Sequence, residues 1–177
     1  MFIETVTAEQ WAYASRLIAY YDFGQRGLGD GNEVEQLTGM IGQTVMADLL
    51  DVERPNGEKG FDEGVDFTIN NKRVDVKTMT RTTDVRDYYV HNFIGYQKNY
   101  DVDYYVFLSY NKKKRELTIC GCIDKNSFFE KADHFPEGTR RTRSNGSYFY
   151  SKAPLYEIKQ TELIQVNNMN QLIECIK

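Results

Sequence analysis

The chain has 177 residues, of which 41% are hydrophobic and 14% aromatic, a balance that excludes a disordered chain and allows one domain with a sizeable core. A formal net charge of −4 argues against a tight, non-enzymatic nucleic-acid binder, which is normally basic.

The chain begins MFIETVTAEQW, with an early acid rather than a basic and then apolar leader, and no apolar run reaches transmembrane length. The expectation is a soluble cytoplasmic protein with no membrane partner. Thr7 and Gln10 fit a capping box, with Val6 and Trp11 as its hydrophobic staple. Trp11, Ala14, Leu17, Ile18 and Tyr21 then recur at helical spacing, which predicts a helix from Ala8 to Tyr21. The glycine-rich stretch Gly24 to Gly31 reads as a connector. No GK[ST] follows it and no strand precedes it, so it is not a phosphate-binding loop. Arg26 within it is a candidate phosphate contact.

Asn32 and Glu35 form a second capping box. Val34, Leu37, Ile41, Val45 and Leu49 continue the helical step, predicting a helix from Glu33 to Leu50. Asp51 to Glu63 is polar, with a turn at Pro55-Asn56-Gly57. Gly64 to Thr78 (GVDFTINNKRVDVKT) reads as a hairpin. Asn70-Asn71 tolerates the positive φ angles of a tight two-residue loop. Thr80 to Tyr100 is polar and rich in tyrosine, a loop or lid with a short strand.

Tyr104 to Tyr110 and Leu117 to Ile123 are buried-strand candidates, joined by the basic tip Lys112-Lys113-Lys114-Arg115. Cys120 and Cys122 lie two apart in the second of these strands, so both are expected on one face, as buried free thiols. With Cys175 they form no even disulfide framework. Ser127 to Ala132 reads as a short helix. Phe135 to Ser147 reads as a loop with an Asn145-Gly146 turn, carrying Arg140, Arg141 and Arg143. Apolar positions alternate from Tyr148 to Ile158, and a last helix from Met169 to Ile176 is capped by Asn168. The whole chain reads as one α/β domain, with a mixed central β-sheet flanked by helices.

The chemistry concentrates in the hairpin. With Asn70-Asn71 as the loop, Ile69 pairs with Lys72, Phe67 with Val74, and Asp66 with Asp75. Two carboxylates then face each other, with Lys77 one step further along the same face. Opposed like charges destabilise a ladder, so the pattern points to a use. Carboxylate oxygens suit a hard divalent cation, with a lysine beside its bound water. The plain structural use is an ion pair of Asp75 with Lys77 or Arg73, which needs no precise geometry.

Asp66 followed by Asp75-Val76-Lys77, after a helix and on paired strands, resembles the PD-(D/E)xK nuclease superfamily. Val65 stands where the family's proline usually does. The resemblance covers about Asn32 to Ala132. It implies a restriction endonuclease-like core of a helix, three antiparallel strands, a helix and a further strand. It also implies a Mg²⁺-dependent (or Mn²⁺-dependent) deoxyribonuclease that hydrolyses DNA phosphodiester bonds. Asp66, Asp75 and the Val76 carbonyl would be metal ligands, and Lys77 would position the attacking water. Where the family commonly has Gly-Glu on the core helix, this chain has Gly42-Gln43, so Gln43 takes the place of a third acid. That substitution motivates an alternative: a catalytically inactive nuclease-fold protein acting as a nucleic-acid-binding or interaction module.

Arg140, Arg141 and Arg143 are the expected DNA-phosphate contacts. Tyr88, Tyr89, Tyr96, Tyr100, Tyr104 and Tyr105 are dense enough to stack on bases, and core packing explains them equally well. The absence of a separate recognition domain implies loop-borne specificity, a homodimer or a partner protein. His91 and His134 are isolated, with no metal-ligand pattern around them.

Overall fold

The computed structural model describes residues 1–21, 23, 32–57, 64–142 and 146–177. The Gly24–Gly31 connector with Arg26, the segment 58–63, Arg143 and Asn145 lie outside the described residues.

Strand β1 (Phe2–Thr5) leads into helix α1 (Ala8–Tyr20), followed by helix α2 (Glu33–Leu50). Both capping boxes form. The Thr7 side chain accepts from the Gln10 amide and the Asn32 side chain from the Glu35 amide, while each partner side chain accepts from the cap's own N–H. Helix α2 ends at Asp51, whose φ of 54° places it in the left-handed region.

Strands β2 (Phe67–Ile69) and β3 (Lys72–Arg81) form the expected hairpin. Phe67 pairs with Val74 and Ile69 with Lys72, and Asn70 and Asn71 adopt φ of 52° and 60°. The next elements are β4 (Val90–Ile94), a 3₁₀ turn at Gly95–Asn99, β5 (Tyr104–Asn111) and β6 (Glu116–Asp124). Helix α3 (Lys125–Lys131), β7 (Asp133–Phe135), β8 (Arg140–Thr142), β9 (Tyr148–Tyr150) and β10 (Leu155–Lys159) follow. Helix α4 (Met169–Cys175) closes the fold.

Five strands form one sheet in the order β1-β6-β5-β3-β2. This mixed sheet and the four α-helices among the described residues make the molecule α/β. The antiparallel trio implied by the resemblance does not form, because β5 runs parallel to β3, from Val74 opposite Tyr104 to Arg81 opposite Asn111. A parallel pair needs a long crossover, and the segment 82–103 supplies it, leaving the main sheet to place β4 in a second sheet of order β4-β10-β7. Strand β1 escapes sequence patterning because it is only four residues long and sits at the sheet edge against β6.

Each face of the large sheet carries its own core. On one face Val74, Val76, Val106, Leu108, Leu117 and Ile119 pack with Ile41, Val45 and Met46 of α2 and Leu172 of α4. On the other, Tyr105, Phe107 and Ile123 pack with Phe93, Phe128, Tyr156 and Ile158. Phe128 is fully buried, with its ring centroid 5.1 Å from that of Tyr105 and 5.2 Å from that of Phe93. Burying such a ring contributes roughly 2–3 kcal/mol.

The two strand cysteines do not share a face. Cys122 joins the α2-side core and Cys120 the aromatic core. Phe107 pairs with Gly121 but Leu108 pairs with Ile119, so Cys120 is the extra residue of a β-bulge, which reverses the in–out alternation beyond it. Gly121 is required at the bulge. Its φ is 142°, and an added Cβ would lie 2.4 Å from the Ile164 carbonyl oxygen.

Candidate functional site

Helix α2 crosses β3 at Gly42. A Cβ there would sit 2.0 Å from Thr78 Oγ1 and 3.1 Å from Leu108 Cδ1, so only glycine lets the helix approach this closely. The close approach brings the next side chain, Gln43, to the start of β2. Its Nε2 donates to Asp66 Oδ1 at 2.5 Å. Asp66 Oδ2 accepts the Val76 backbone N–H at 2.6 Å, while the Asp66 N–H donates to the Val74 carbonyl. The Asp66 carboxylate thus extends the ladder beyond the last backbone pair, Phe67 with Val74. The expected direct opposition of Asp66 and Asp75 is replaced by this side-chain link. A backbone N–H next to a carboxylate forms a strong charge-assisted bond, which favours the link over two apposed anions.

Asp75 is 2% exposed, and Lys77 Nζ lies 2.7 Å from its Oδ2. Lys77 also sits 5.7 Å from the centroid of the Phe93 ring. Arg73, the other candidate partner for Asp75, turns to Asp101 and Asp103. Its guanidinium holds the Asp103 carboxyl below the usual carboxylate range. Lys77 is therefore the lysine or arginine paired with Asp75 among the described residues.

Tyr105 stands opposite Asp75 across the parallel β3–β5 pair. It is fully buried, and its hydroxyl has no hydrogen-bond partner among the described residues. Burial, reinforced by the Asp75 charge, pushes its phenol pKa upward, so it remains a proton donor at neutral pH. Tyr105 is one of the base-stacking candidates in the sequence, and its complete burial removes it from that set. Its position beside Asp75 depends on the parallel register, for which the sequence holds no local signal.

Val76 joins the two halves of the site: its N–H binds Asp66, and its neighbours Asp75 and Lys77 form the buried ion pair. The donor set is oxygen-rich and anionic, which in kind suits a hard cation. Among the described residues, no group of three or more His, Cys, Asp or Glu side chains converges on one point.

Arg140 and Arg141 lie in paired strands, not in a loop. Residues three apart along a loop can share a face, but β8 and β9 pair from Arg140–Tyr150 to Thr142–Tyr148, and alternation sends Arg140 and Arg141 to opposite faces. Arg141 reaches Glu157, which is buried, and its guanidinium lies 3.6 Å from the Phe135 ring centroid. Arg140 is exposed and stacks 4.2 Å from the centroid of Tyr148. At the other basic tip, Lys114 pairs with Asp84 at 2.6 Å.

Of the other tyrosines, Tyr88 is 69% exposed and Tyr96 donates to Glu137. His91 is buried against Gln160, whose Oε1 lies 2.7 Å from its Nε2, and burial lowers its pKa to about 4. His134 lies against the Tyr156 ring. No helix among the described residues is long and apolar enough to cross a membrane. No family model matches this chain, and no curated protein or solved structure is significantly similar to it.

Proposed function

We propose that this chain is a Mg²⁺-dependent nuclease hydrolysing DNA phosphodiester bonds at the β2–β3 hairpin. The observation that carries the reading is the Asp75–Lys77 pair, held almost out of solvent one residue on either side of Val76, whose N–H fixes Asp66. Burying an ion pair costs several kcal/mol of desolvation that a well-packed apolar pair would avoid, so stability alone does not account for it. Asp66, Asp75 and the Val76 carbonyl would hold the cation, with Gln43 turning its amide oxygen toward it. A bound divalent ion would neutralise charge on the phosphate and on the leaving oxygen.

The chain's own groups have distinct tasks. Lys77 Nζ, beside Asp75, orients a water or phosphate oxygen by donating to it. The Val76 N–H and Gln43 Nε2 hold the Asp66 carboxylate in one orientation. Tyr105 offers a second donor on the Asp75 side. Phe93 and the aromatic core behind it keep that side dry, which strengthens each of these interactions.

A second reading, an inactive nuclease-fold module that binds nucleic acid or a partner, is favoured by Gln43. In place of an acid, this residue puts a donor on Asp66 and lowers the anionic charge of the site. A cleavage assay on plasmid, linear and single-stranded DNA with Mg²⁺ or Mn²⁺ separates the readings, with calorimetric titration of the metals alongside. Cleavage that disappears in Asp66→Asn and Lys77→Ala supports the nuclease. Absent cleavage together with absent metal binding favours the module.

A further inference from the structure

The β8–β9 ribbon forms a small sheet of its own, and its two faces differ. Arg141 and Phe149 point to the half-buried side, where Arg141 meets Glu157 and Phe135. Arg140, Thr142, Tyr148 and Tyr150 occupy the solvent side. Tyr148 is 54% exposed and Tyr150 60% exposed, and their ring centroids lie 5.9 Å apart in an edge-to-face arrangement. Arg140 has no carboxylate within ion-pair distance among the described residues, and its guanidinium lies over the Tyr148 ring, 4.2 Å from the centroid. Stacking of this kind keeps an arginine extended and leaves its N–H groups available in the ring plane.

Charge marks the same stretch. The described residues 138–142 and 146–152 hold no Asp or Glu, and with Arg141 paired to Glu157 on the other side, the exposed cations left are Arg140 and Lys152, in a chain whose net charge is −4. Glu137, the next acid towards the N-terminus, is bonded by the Tyr96 hydroxyl. Exposed aromatic rings beside an unpaired arginine, on a locally basic ribbon, match the requirements of a base-stacking platform. Each base offers a π-face to a ring, and the backbone phosphate meets a cation. A base in a closed duplex has no face free for such stacking.

We propose that the solvent face of the β8–β9 ribbon binds single-stranded DNA, stacking unpaired bases on Tyr148 and Tyr150 while Arg140 contacts a phosphate. This deepens the nuclease reading by naming the strand form, and it rests on that reading only for the choice of DNA. The site is separate from the hairpin residues, so each can fail alone.

The test is fluorescence anisotropy of a labelled oligothymidylate of about 20 nucleotides, and of a blunt duplex of equal length, with full-length protein in EDTA. The Tyr148→Ala/Tyr150→Ala double variant is expected to bind the single strand at least about tenfold more weakly, while the Phe/Phe variant stays within about twofold of wild type. Arg140→Gln should reduce the salt dependence by about one released counterion. Thermal denaturation checks that each variant is folded, as their exposure predicts. Single-strand affinity unchanged in the Ala/Ala variant overturns the proposal, as does wild type that prefers the duplex or binds neither. Tyrosine-dependent binding without cleavage retains the platform and removes the nuclease. Cleavage with no effect of either tyrosine does the reverse.

Discussion

The β2–β3 hairpin and the β8–β9 ribbon are both short antiparallel units, yet they handle charge in opposite ways. In the hairpin, Asp75 is 2% exposed and its partner Lys77 is only two residues away on the same face. In the ribbon, Arg140 stands in solvent on a tyrosine while its neighbour Arg141 is tied to Glu157. Around Asp75 and Val76 the sheet's two cores cover β3 on both sides, and such burial suits chemistry that needs fixed geometry. The ribbon has only one covered face, which suits sequence-tolerant contacts with a flexible partner. Burial, more than residue type, separates the two proposed roles.

The sharpest way to break this comparison is to unpair the hairpin's charges. Lys77→Ala leaves Asp75 buried without its cation and should cost about 3–5 kcal/mol in urea unfolding. The double variant Asp75→Asn/Lys77→Met should recover most of that loss while remaining inactive in cleavage, since an apolar or neutral pair avoids the desolvation penalty. Recovered cleavage in the double variant would remove these residues from the chemistry.

Next in size is a pH effect at His91. The unfolded chain protonates this imidazole near its ordinary value of 6.5, whereas burial lowers the folded value to about 4. Between these values the unfolded state holds the extra proton, so stability falls as the pH drops. The loss amounts to roughly 3 kcal/mol by pH 4. His91→Phe should flatten this part of the curve in denaturation experiments at stepped pH. An unchanged slope would mean that the imidazole is hydrated in the folded protein.

Gly42→Ala comes third. Its Cβ meets Thr78 Oγ1 and Leu108, so α2 must shift, costing about 1–3 kcal/mol and withdrawing Gln43 from Asp66. Reduced metal affinity in a variant that remains folded would tie the helix approach to the site. The smallest effects lie in the ribbon, where Arg141→Ala should cost about 2 kcal/mol by stranding Glu157, and Arg140→Ala no more than about 0.5 kcal/mol. Equal costs would erase the distinction between the two faces.

Much of the hairpin was legible beforehand because its signals are local. Two asparagines at the turn set the register, and the alternation of Phe67, Ile69, Val74 and Val76 set the inward face. The same holds for α1, α2 and α4, whose caps are made by residues three apart. The C-terminal half was harder to read. Strands β7, β8 and β9 have three residues each, too few for a period to show, so Arg140 and Arg141 read as a loop. The cysteines were misplaced because a bulge shifts alternation by one residue without changing composition.

The sequence by itself determined the helices, the hairpin turn and the neighbouring Asp75 and Lys77, because capping, periodicity and turn chemistry act over a few residues. Tertiary structure alone decided that β5 lies parallel to β3, bringing Tyr105 beside Asp75, and that Gln43 reaches Asp66 over the bare surface of Gly42. These contacts join residues 23 to 30 positions apart, as from Gln43 to Asp66 or from Asp75 to Tyr105. They exist only because both faces of one sheet are packed at once.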